Sequence, residues 1–209
     1  MSFVDVIFGI ILTVFTLKMQ GVVTEDDKMR LNGVAQDIWA AADALPDQRQ
    51  PFQGEAGKEA TAVALTAISF HESGFWVKVQ DCSICYPGSA WCDRGRSVSL
   101  FQLREGSSSW GKYTRAELCE DNAKAAERAA IVLARHRGAS APVTLFDGYA
   151  KGGASIHPGQ AAIDMAKYFD TFAKKAGIRW SYKNGAMQAT WAPGRKPVQA
   201  DSQAISQNP

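Results

Sequence analysis

The sequence predicts a mainly helical (α+β) fold with a small β element and an apolar helix at the N-terminus. Four stretches of the 209-residue chain place apolar residues at helical spacing, and one short apolar stretch, residues 97–103, has the length of a strand. With 46% hydrophobic and 21% charged residues, the chain has the composition of an ordinary globular protein. This length and composition leave room for one core domain plus extensions.

The charge of the chain argues against one class of partner. The net charge is +2 and no run of basic residues is present. Nucleic-acid binding usually needs a concentrated basic patch. We therefore expect no nucleic-acid partner.

Residues 1–23 form an apolar N-terminal segment, in which Val6 to Leu17 is an uncharged run between Asp5 and Lys18. Such a run extends roughly 18 Å as a helix, whereas the hydrocarbon core of a bilayer is about 30 Å thick. A secretory signal would need a positive n-region and a small-residue cleavage site, and neither is evident. A membrane anchor or inserted segment, a signal-like segment and a buried helix all remain open.

Residues 24–50 are predicted to form a helix and a linker. Thr24 precedes three acidic residues, a combination that favours a helix start. Asp47 to Glu55 is expected to be a polar connector, and the main domain is expected to begin near residue 51. The apolar face of the helix is formed by Leu31, Val34, Ile38, Ala42 and Leu45.

The next helix carries the most informative residue, Glu72. His71 and Glu72 continue its apolar face, and Gly74 is a plausible stop. An apolar setting disfavours the charged carboxylate, so the pKa of Glu72 should rise. A rise to about 6 corresponds to roughly 2 kcal/mol and yields a group that can donate a proton near neutral pH. The apolar face comprises Ala60, Val63, Ala64, Ala67 and Ile68.

Four cysteines follow this helix, and we expect them to be structural. Disulfides and a four-thiolate zinc site both remain possible from their spacing, and four cysteines allow three disulfide connectivities. Disulfides are favoured if the protein acts outside the cytoplasm. The cysteines are Cys82, Cys85, Cys92 and Cys119.

Two short stretches each place a polar side chain among apolar or flexible residues. Ser97 to Leu103 is predicted to be a single strand that carries Gln102. Phe146 to Gly153 is predicted to be a helix end or turn that carries Tyr149.

The remaining predictions concern the later helices and the C-terminus. Thr114 and Glu117 form a capping-box pattern, and Asp121 can cap a helix that extends to His136. His136 is interpreted as a surface residue at the negative end of that helix. A last helix is predicted from Pro158 to Gly177. Residues 179–209 are expected to be a polar, flexible tail, disordered or ordered by a partner.

Three motifs in order resemble a known family. ESGF at 72–75, SLFQ at 99–102 and YAKGG at 149–153 are similar to the E-S-x-F, G-L-M-Q and A-Y-N-x-G motifs of the soluble lytic transglycosylase (SLT-like) group of the lysozyme-like superfamily. The resemblance extends roughly from Gly57 to Phe172. It departs from the family at Ser99, Phe101 and Ala150, which replace glycine, methionine and asparagine.

The resemblance implies that residues 51–178 form a lysozyme-like transglycosylase domain. Such a domain cleaves the β-1,4 bond between N-acetylmuramic acid and N-acetylglucosamine in peptidoglycan and leaves a 1,6-anhydro product. Glu72 matches the catalytic acid, which then acts as the base, and no metal or cofactor is implied. The implied substrate-binding residues are Gln102 and Tyr149, with Ser97 and Ser99 as weaker candidates.

The resemblance and the apolar N-terminal segment together predict where the protein acts. We expect a location in the cell envelope or periplasm, associated with a membrane or a virion. Val6 to Leu17 could contact the membrane, and the C-terminal tail could contact a virion or secretion machine.

Three alternatives to a transglycosylase remain. A hydrolysing lysozyme on the same fold would need a second carboxylate, for which Asp81, Asp93 and Asp147 are candidates. A non-catalytic virion or wall-binding protein would keep the fold without turnover. A zinc-stabilised adaptor would use the cysteines as metal ligands.

Overall fold

A computed structural model of the chain describes residues 2–19, 22–105, 110–151 and 157–195. The mainly helical fold with a small β element, predicted from the sequence, is confirmed. The helical segments are α1 (Phe3–Met19), α2 (Glu25–Asp43), α3 (Gly57–Ser73), α4 (Val77–Gln80), the short turn α5 (Cys92–Gly95), α6 (Arg115–Glu120), α7 (Asn122–Ala134), α8 (Pro142–Lys151) and α9 (Gln160–Ala176). The strands are β1 (Phe52–Gln53), β2 (Ser97–Val98), β3 (Leu103–Arg104), β4 (Ile178–Lys183) and β5 (Ala186–Trp191).

Helix α3 is the central element of the fold. It contacts α1, α2, α7 and α9, and it is buried on nearly all sides along most of its length. Small residues let the neighbouring helices approach closely, and the hydroxyl groups of Thr61, Thr66 and Ser69 donate to carbonyl oxygens one turn earlier. The apolar face predicted for this helix is fully buried, which confirms that part of the prediction.

Helices α1 and α2 belong to the same hydrophobic core as the rest of the chain. One face of α1 is buried, and the Lys18 ammonium group at its end lies 5.6 Å from the centre of the Phe70 ring on α3. None of the helices in the described part of the chain combines the length and apolarity that crossing a membrane requires. The buried residues of α1 are Phe3, Ile7, Ile10, Ile11, Val14 and Phe15.

Helix α2 begins as predicted. Thr24 is its N-cap, and Thr24 and Asp27 form a reciprocal capping box. The polar connector predicted for residues 47–55 is wrong in its central part, because Gln50 and Phe52 are buried. The Gln50 amide is satisfied by donating to the carbonyl oxygens of Ala42 and Leu45, at 2.8 and 2.9 Å.

The flexible tail predicted from residue 179 is wrong for residues 179–191, which form a β-hairpin. Strands β4 and β5 are antiparallel, and β5 also pairs in parallel with β1, giving the strand order β1-β5-β4. Met187 and Ala189 of β5 are buried, whereas most of β4 is exposed. The hairpin itself has a local signal that the sequence interpretation missed, because Asn184 and Gly185 form its two-residue turn with positive φ, 55° and 80°. Only the pairing of Phe52 with Met187 joins distant parts of the chain. The rest of the predicted tail, residues 196–209, lies outside the described residues.

The later helices follow the prediction more closely. The capping box of Thr114 and Glu117 starts α6, and Asp121 caps α7 by accepting from the Lys124 amide. Helix α9 ends at Gly177, which adopts the left-handed conformation (φ 74°) suited to glycine. Helices α8 and α9 pack against each other, and α9 packs against α3. This packing brings α8 beside the end of α3 that carries Glu72.

Candidate functional site

Glu72 lies in the last turn of α3, as predicted. The helix ends at Gly74, whose backbone adopts φ 58° and whose amide donates to the Phe70 carbonyl oxygen at 2.9 Å. Within the described residues, no hydrogen bond or ion pair reaches the Glu72 carboxyl group. Burial raises the pKa of Glu72 to about 7. The direction predicted from the sequence is therefore confirmed, and a substantial fraction of this carboxyl group holds a proton at neutral pH.

Glu72 lines a cleft of about 720 Å³. Segments far apart in the chain form its walls: the end of α3, the α5 turn, the β2–β3 hairpin, the end of α7, α8 and the start of α9. Its volume lies within the usual range of small-molecule sites. The described lining residues are Glu72, Asp93, Ser97, Gln102, Leu103, Arg104, Val132, Arg135, His136, Tyr149, Ala150, Lys151 and Ala161.

Residues 97–104 form a hairpin instead of the predicted single strand. Strands β2 and β3 are antiparallel, and residues 99–102 form the turn between them. Ser99 and Gln102 both have positive φ, 65° and 48°. The Gln102 side-chain amide donates to the Ser99 carbonyl oxygen at 3.0 Å, which stabilises the turn. The turn places Gln102 on the cleft, as the resemblance implies, but the backbone that does so is different from the one predicted.

The two serines predicted for the cleft have different positions. Ser97 lines the cleft, although it is largely buried. Ser99 is fully buried and is not part of the described lining, so its predicted place in the cleft is wrong. The Ser99 amide lies 3.4 Å from Sγ of Cys82, which joins the turn to the cysteine loop. The left-handed backbone of Ser99 is unfavourable for a residue with a Cβ atom, so Ser99 is a position of backbone strain.

Tyr149 lies in the last turn of α8, two residues before Lys151, which agrees with the helix end predicted there. Its hydroxyl group donates to the Phe101 carbonyl oxygen at 2.9 Å, which fixes α8 against the β2–β3 turn. Burial and the nearby Glu72 carboxyl group raise the pKa of Tyr149 well above 10. Tyr149 is therefore a neutral hydrogen-bonding group at the cleft, and the adjacent Ala150 lines the cleft without a polar group.

His136 is a cleft residue that the sequence interpretation missed. The sequence predicts that His136 is a surface residue at the end of a helix. In the structure, α7 ends at Ala134, and His136 is half-buried and lines the cleft. Burial and the charge of Arg135 lower the pKa of His136. A Cβ atom at Gly148 would lie only 2.6 Å from Cγ of His136, so glycine in α8 makes room for the imidazole. No motif surrounds His136, and its role depends entirely on how α7 packs against α8.

The three candidates for a second carboxylate occupy different environments. Asp93 lines the cleft and forms ion pairs with Arg96 at 3.1 Å and Arg104 at 3.3 Å. Asp147 is buried and forms an ion pair with Lys151 at 2.8 Å. Asp81 accepts a hydrogen bond from the Ser83 amide at 2.9 Å. Among the described residues, Asp93 alone of these three lines the cleft.

The four cysteines form two disulfides, Cys82–Cys119 and Cys85–Cys92. The first joins the loop after α4 to α6, and the second closes the loop before α5. Each of the four sulfur atoms is therefore part of a disulfide in this structure, which agrees with the structural role predicted for the cysteines. Within the described ranges, no group of His, Cys, Asp and Glu side chains is arranged to hold a metal ion.

His71 and Phe75 flank Glu72 along the chain and take other positions. His71 is half-buried near the Tyr168 ring, with centroids 6.3 Å apart, and burial lowers its pKa. Phe75 is fully buried and packs beside Phe70.

Comparison of the chain with protein-family models, with curated proteins and with solved structures finds no match.

Proposed function

We propose that this protein is a peptidoglycan lytic transglycosylase with a lysozyme-like fold, of the soluble lytic transglycosylase-like group that its motifs resemble. The observation that carries the proposal is the environment of Glu72: a carboxyl group at a cleft, with a pKa raised to about 7, beside Gln102 and Tyr149. These are the three residues that the motif resemblance assigns to the site.

Glu72 acts first as the acid and then as the base. Its carboxyl group protonates the oxygen of the β-1,4 bond as that bond breaks, and the developing oxocarbenium ion lies in the cleft. The muramyl 6-hydroxyl oxygen then bonds to C1, and its proton returns to the Glu72 carboxylate. A 1,6-anhydro ring forms and Glu72 is protonated again, so no water enters and no second carboxylate is needed. A pKa near 7 suits a group that must both give and take a proton.

Gln102 and Tyr149 position the sugar. The Gln102 amide and the Tyr149 hydroxyl group are neutral hydrogen-bonding groups on opposite elements, and the Tyr149–Phe101 hydrogen bond fixes one relative to the other. Such preorganised dipoles stabilise developing charge without rearranging during the reaction.

The charges of the cleft are compatible with an anionic polymer. Arg104, Arg135 and Lys151 line it together with the acidic Asp93. A peptidoglycan strand carries carboxylates on its lactyl groups or stem peptides, and cationic side chains at a cleft favour their approach.

The location and assembly of the protein are part of the same proposal. We place it in the cell envelope, where its substrate lies, in association with a membrane or a virion. The side of Val6 to Leu17 that the core leaves uncovered, which includes the exposed Leu17, contacts the membrane, and residues 196–209 contact a virion or secretion machine. Fractionation of cells that produce either the full chain or a chain without residues 196–209 tests whether these C-terminal residues determine the location of the protein.

The decisive experiment is mass spectrometry of the muropeptides that the purified protein releases from peptidoglycan. Wild-type protein should release anhydro-muramyl products, about 18 Da lighter than products of water attack, and Glu72→Gln should release none. Glu59→Gln is the matched control, because Glu59 lies on the same helix and burial also raises its pKa. Glu59→Gln should retain wild-type activity.

One second candidate rests on a specific observation, the presence of Asp93 at the cleft. In a hydrolysing lysozyme, Asp93 would hold the attacking water while Glu72 acts as the acid. Reducing-end products that are lost in both Glu72→Gln and Asp93→Asn would establish hydrolysis instead. If the wild type releases no product at all, the result would support the remaining alternative, a non-catalytic wall-binding or virion protein.

A further inference from the structure

Two tryptophans that are close in sequence to residues of the cleft pack against each other. The rings of Trp76 and Trp91 are 5.7 Å apart, with an angle of 77° between their planes. Trp91 is 56% exposed, although a large aromatic ring is normally placed where most of its surface is buried. We call the Trp76–Trp91 pair the aromatic platform.

Each tryptophan of the platform is close in sequence to a residue that lines the cleft. Trp76 follows Glu72 by four residues, and Trp91 precedes Asp93 by two, while Glu72 and Asp93 both line the cleft. At no more than about 3.6 Å per residue, the Cα atom of Trp91 lies within about 7 Å of the Cα atom of Asp93. The backbone of Trp91 is therefore within two residues of the cleft lining, and that of Trp76 within four.

The loop that carries Trp91 is held in place by many bonds. The Cys85–Cys92 disulfide closes it, and the Ser89 hydroxyl group bridges it by donating to the Ile84 carbonyl oxygen at 2.6 Å and accepting from the Trp91 amide at 3.0 Å. The Arg115 guanidinium group donates to the Gly95 carbonyl oxygen at 2.8 Å and ties the loop to α6. An exposed ring on a fixed loop binds a ligand with little loss of conformational entropy.

We infer that the aromatic platform is a sugar-binding subsite outside the cleft, on which an N-acetylhexosamine ring of the glycan strand stacks. Because Trp91 is 56% exposed, much of its ring is accessible to a ligand. The electron-rich face of an indole attracts the C–H groups that one side of a sugar ring presents. When a linear polymer is cut at an internal bond, it extends beyond the cleft in both directions. The extending parts of the strand therefore pass over the surface beside the cleft.

This inference rests on the proposed function for the identity of the ligand. The aromatic platform would make the protein bind long glycan strands more tightly than short fragments. A strand that reaches the platform gains one more ring contact than a fragment confined to the cleft. An aromatic contact of this kind changes affinity by roughly three- to tenfold.

The experiment measures binding by isothermal titration in a Glu72→Gln background, which keeps the strands intact. The ligands are soluble, peptide-free glycan strands and the trimer of N-acetylglucosamine. Trp91→Ala should weaken strand binding by roughly three- to tenfold and leave trimer binding unchanged. Tyr182→Ala, which removes a ring of similar exposure (49%) on β4, should change neither.

Equal strand affinity with and without the Trp91 ring would overturn the inference. So would loss of binding to phosphatidylglycerol vesicles in Trp91→Ala with strand affinity unchanged, because the platform would then contact a membrane. The proposed function fails in a different way: a wild type that binds strands through Trp91 but releases no anhydro-muramyl product keeps the subsite and loses the transglycosylase. Because Trp91 is exposed, its replacement should not prevent folding, and circular dichroism verifies this for each variant.

Discussion

The Tyr149 hydroxyl group donates to the Phe101 carbonyl oxygen at 2.9 Å, and this single hydrogen bond joins α8 to the turn that carries Gln102. Forty-eight residues separate the two partners along the chain. Replacing Tyr149 with phenylalanine keeps the ring and leaves the carbonyl oxygen without this donor. We expect Tyr149→Phe to lower the free energy of unfolding by about 1–2 kcal/mol. Urea denaturation measures this, and Tyr182→Phe, at an exposed site, should have almost no effect.

The pKa of Glu72 sets the pH dependence of activity. The proposed reaction begins with the protonated carboxyl group, whose pKa is about 7. We expect kcat/KM on soluble glycan strands to be constant at acidic pH, and to fall about tenfold per pH unit above pH 7. A pH–rate profile checks this. An activity that rises from pH 6 to pH 8 would contradict the role of Glu72 as the initial acid.

The same carboxyl group makes the folded state less stable as the pH rises. Because its folded pKa is raised from 4.5 to about 7, the folded state binds the proton more tightly than the unfolded state does. The penalty is absent below about pH 4.5, develops as the pH rises to 7, and reaches about 3 kcal/mol above pH 7. Glu72→Gln should therefore be more stable than wild type at pH 8 and equally stable at pH 4. Denaturation of both proteins across this range tests it, and a constant difference would mean that the carboxylate is well solvated.

His136 and Gly148 should show strong energetic coupling. In a helix, Gly→Ala normally stabilises by about 1 kcal/mol. A Cβ atom at position 148 would overlap the imidazole of His136, so Gly148→Ala should instead destabilise the protein by about 1–3 kcal/mol. In a His136→Ala background the ring is gone and the same change should be stabilising. A double-mutant cycle measures the coupling, and additive effects would show that the two residues do not constrain each other.

The two disulfides should differ in their contributions to stability. Cys82–Cys119 spans 37 residues of sequence, and Cys85–Cys92 spans 7. The chain-entropy model gives about 4 kcal/mol for the longer loop and about 2 kcal/mol for the shorter one. Paired Cys→Ala variants of each bridge should therefore lose stability in that order in thermal denaturation. The opposite order would mean that effects in the folded state outweigh loop entropy.

Much of the helical structure could be predicted because its signals are local. Thr24 and Thr114 each cap a helix through a residue three positions later, and Gly74 and Gly177 end helices in the left-handed conformation. The apolar spacing that identified the face of α3 also placed Glu72 at its end and predicted a raised pKa. In each case, the partners lie within one or two turns of the same helix.

The sequence by itself determined the N-caps of α2 and α6, the buried faces of α2 and α3, and the position of Glu72 in the last turn of α3. Only the tertiary structure decided which residues share the cleft: it brought His136 and Asp93 to the cleft walls, buried Ser99, and paired β5 with β1. The physical reason is the range of the interactions. Helix caps and helix faces depend on neighbours a few residues apart, whereas the pairing of Phe52 with Met187 and the packing of His136 on Gly148 arise only when distant segments meet.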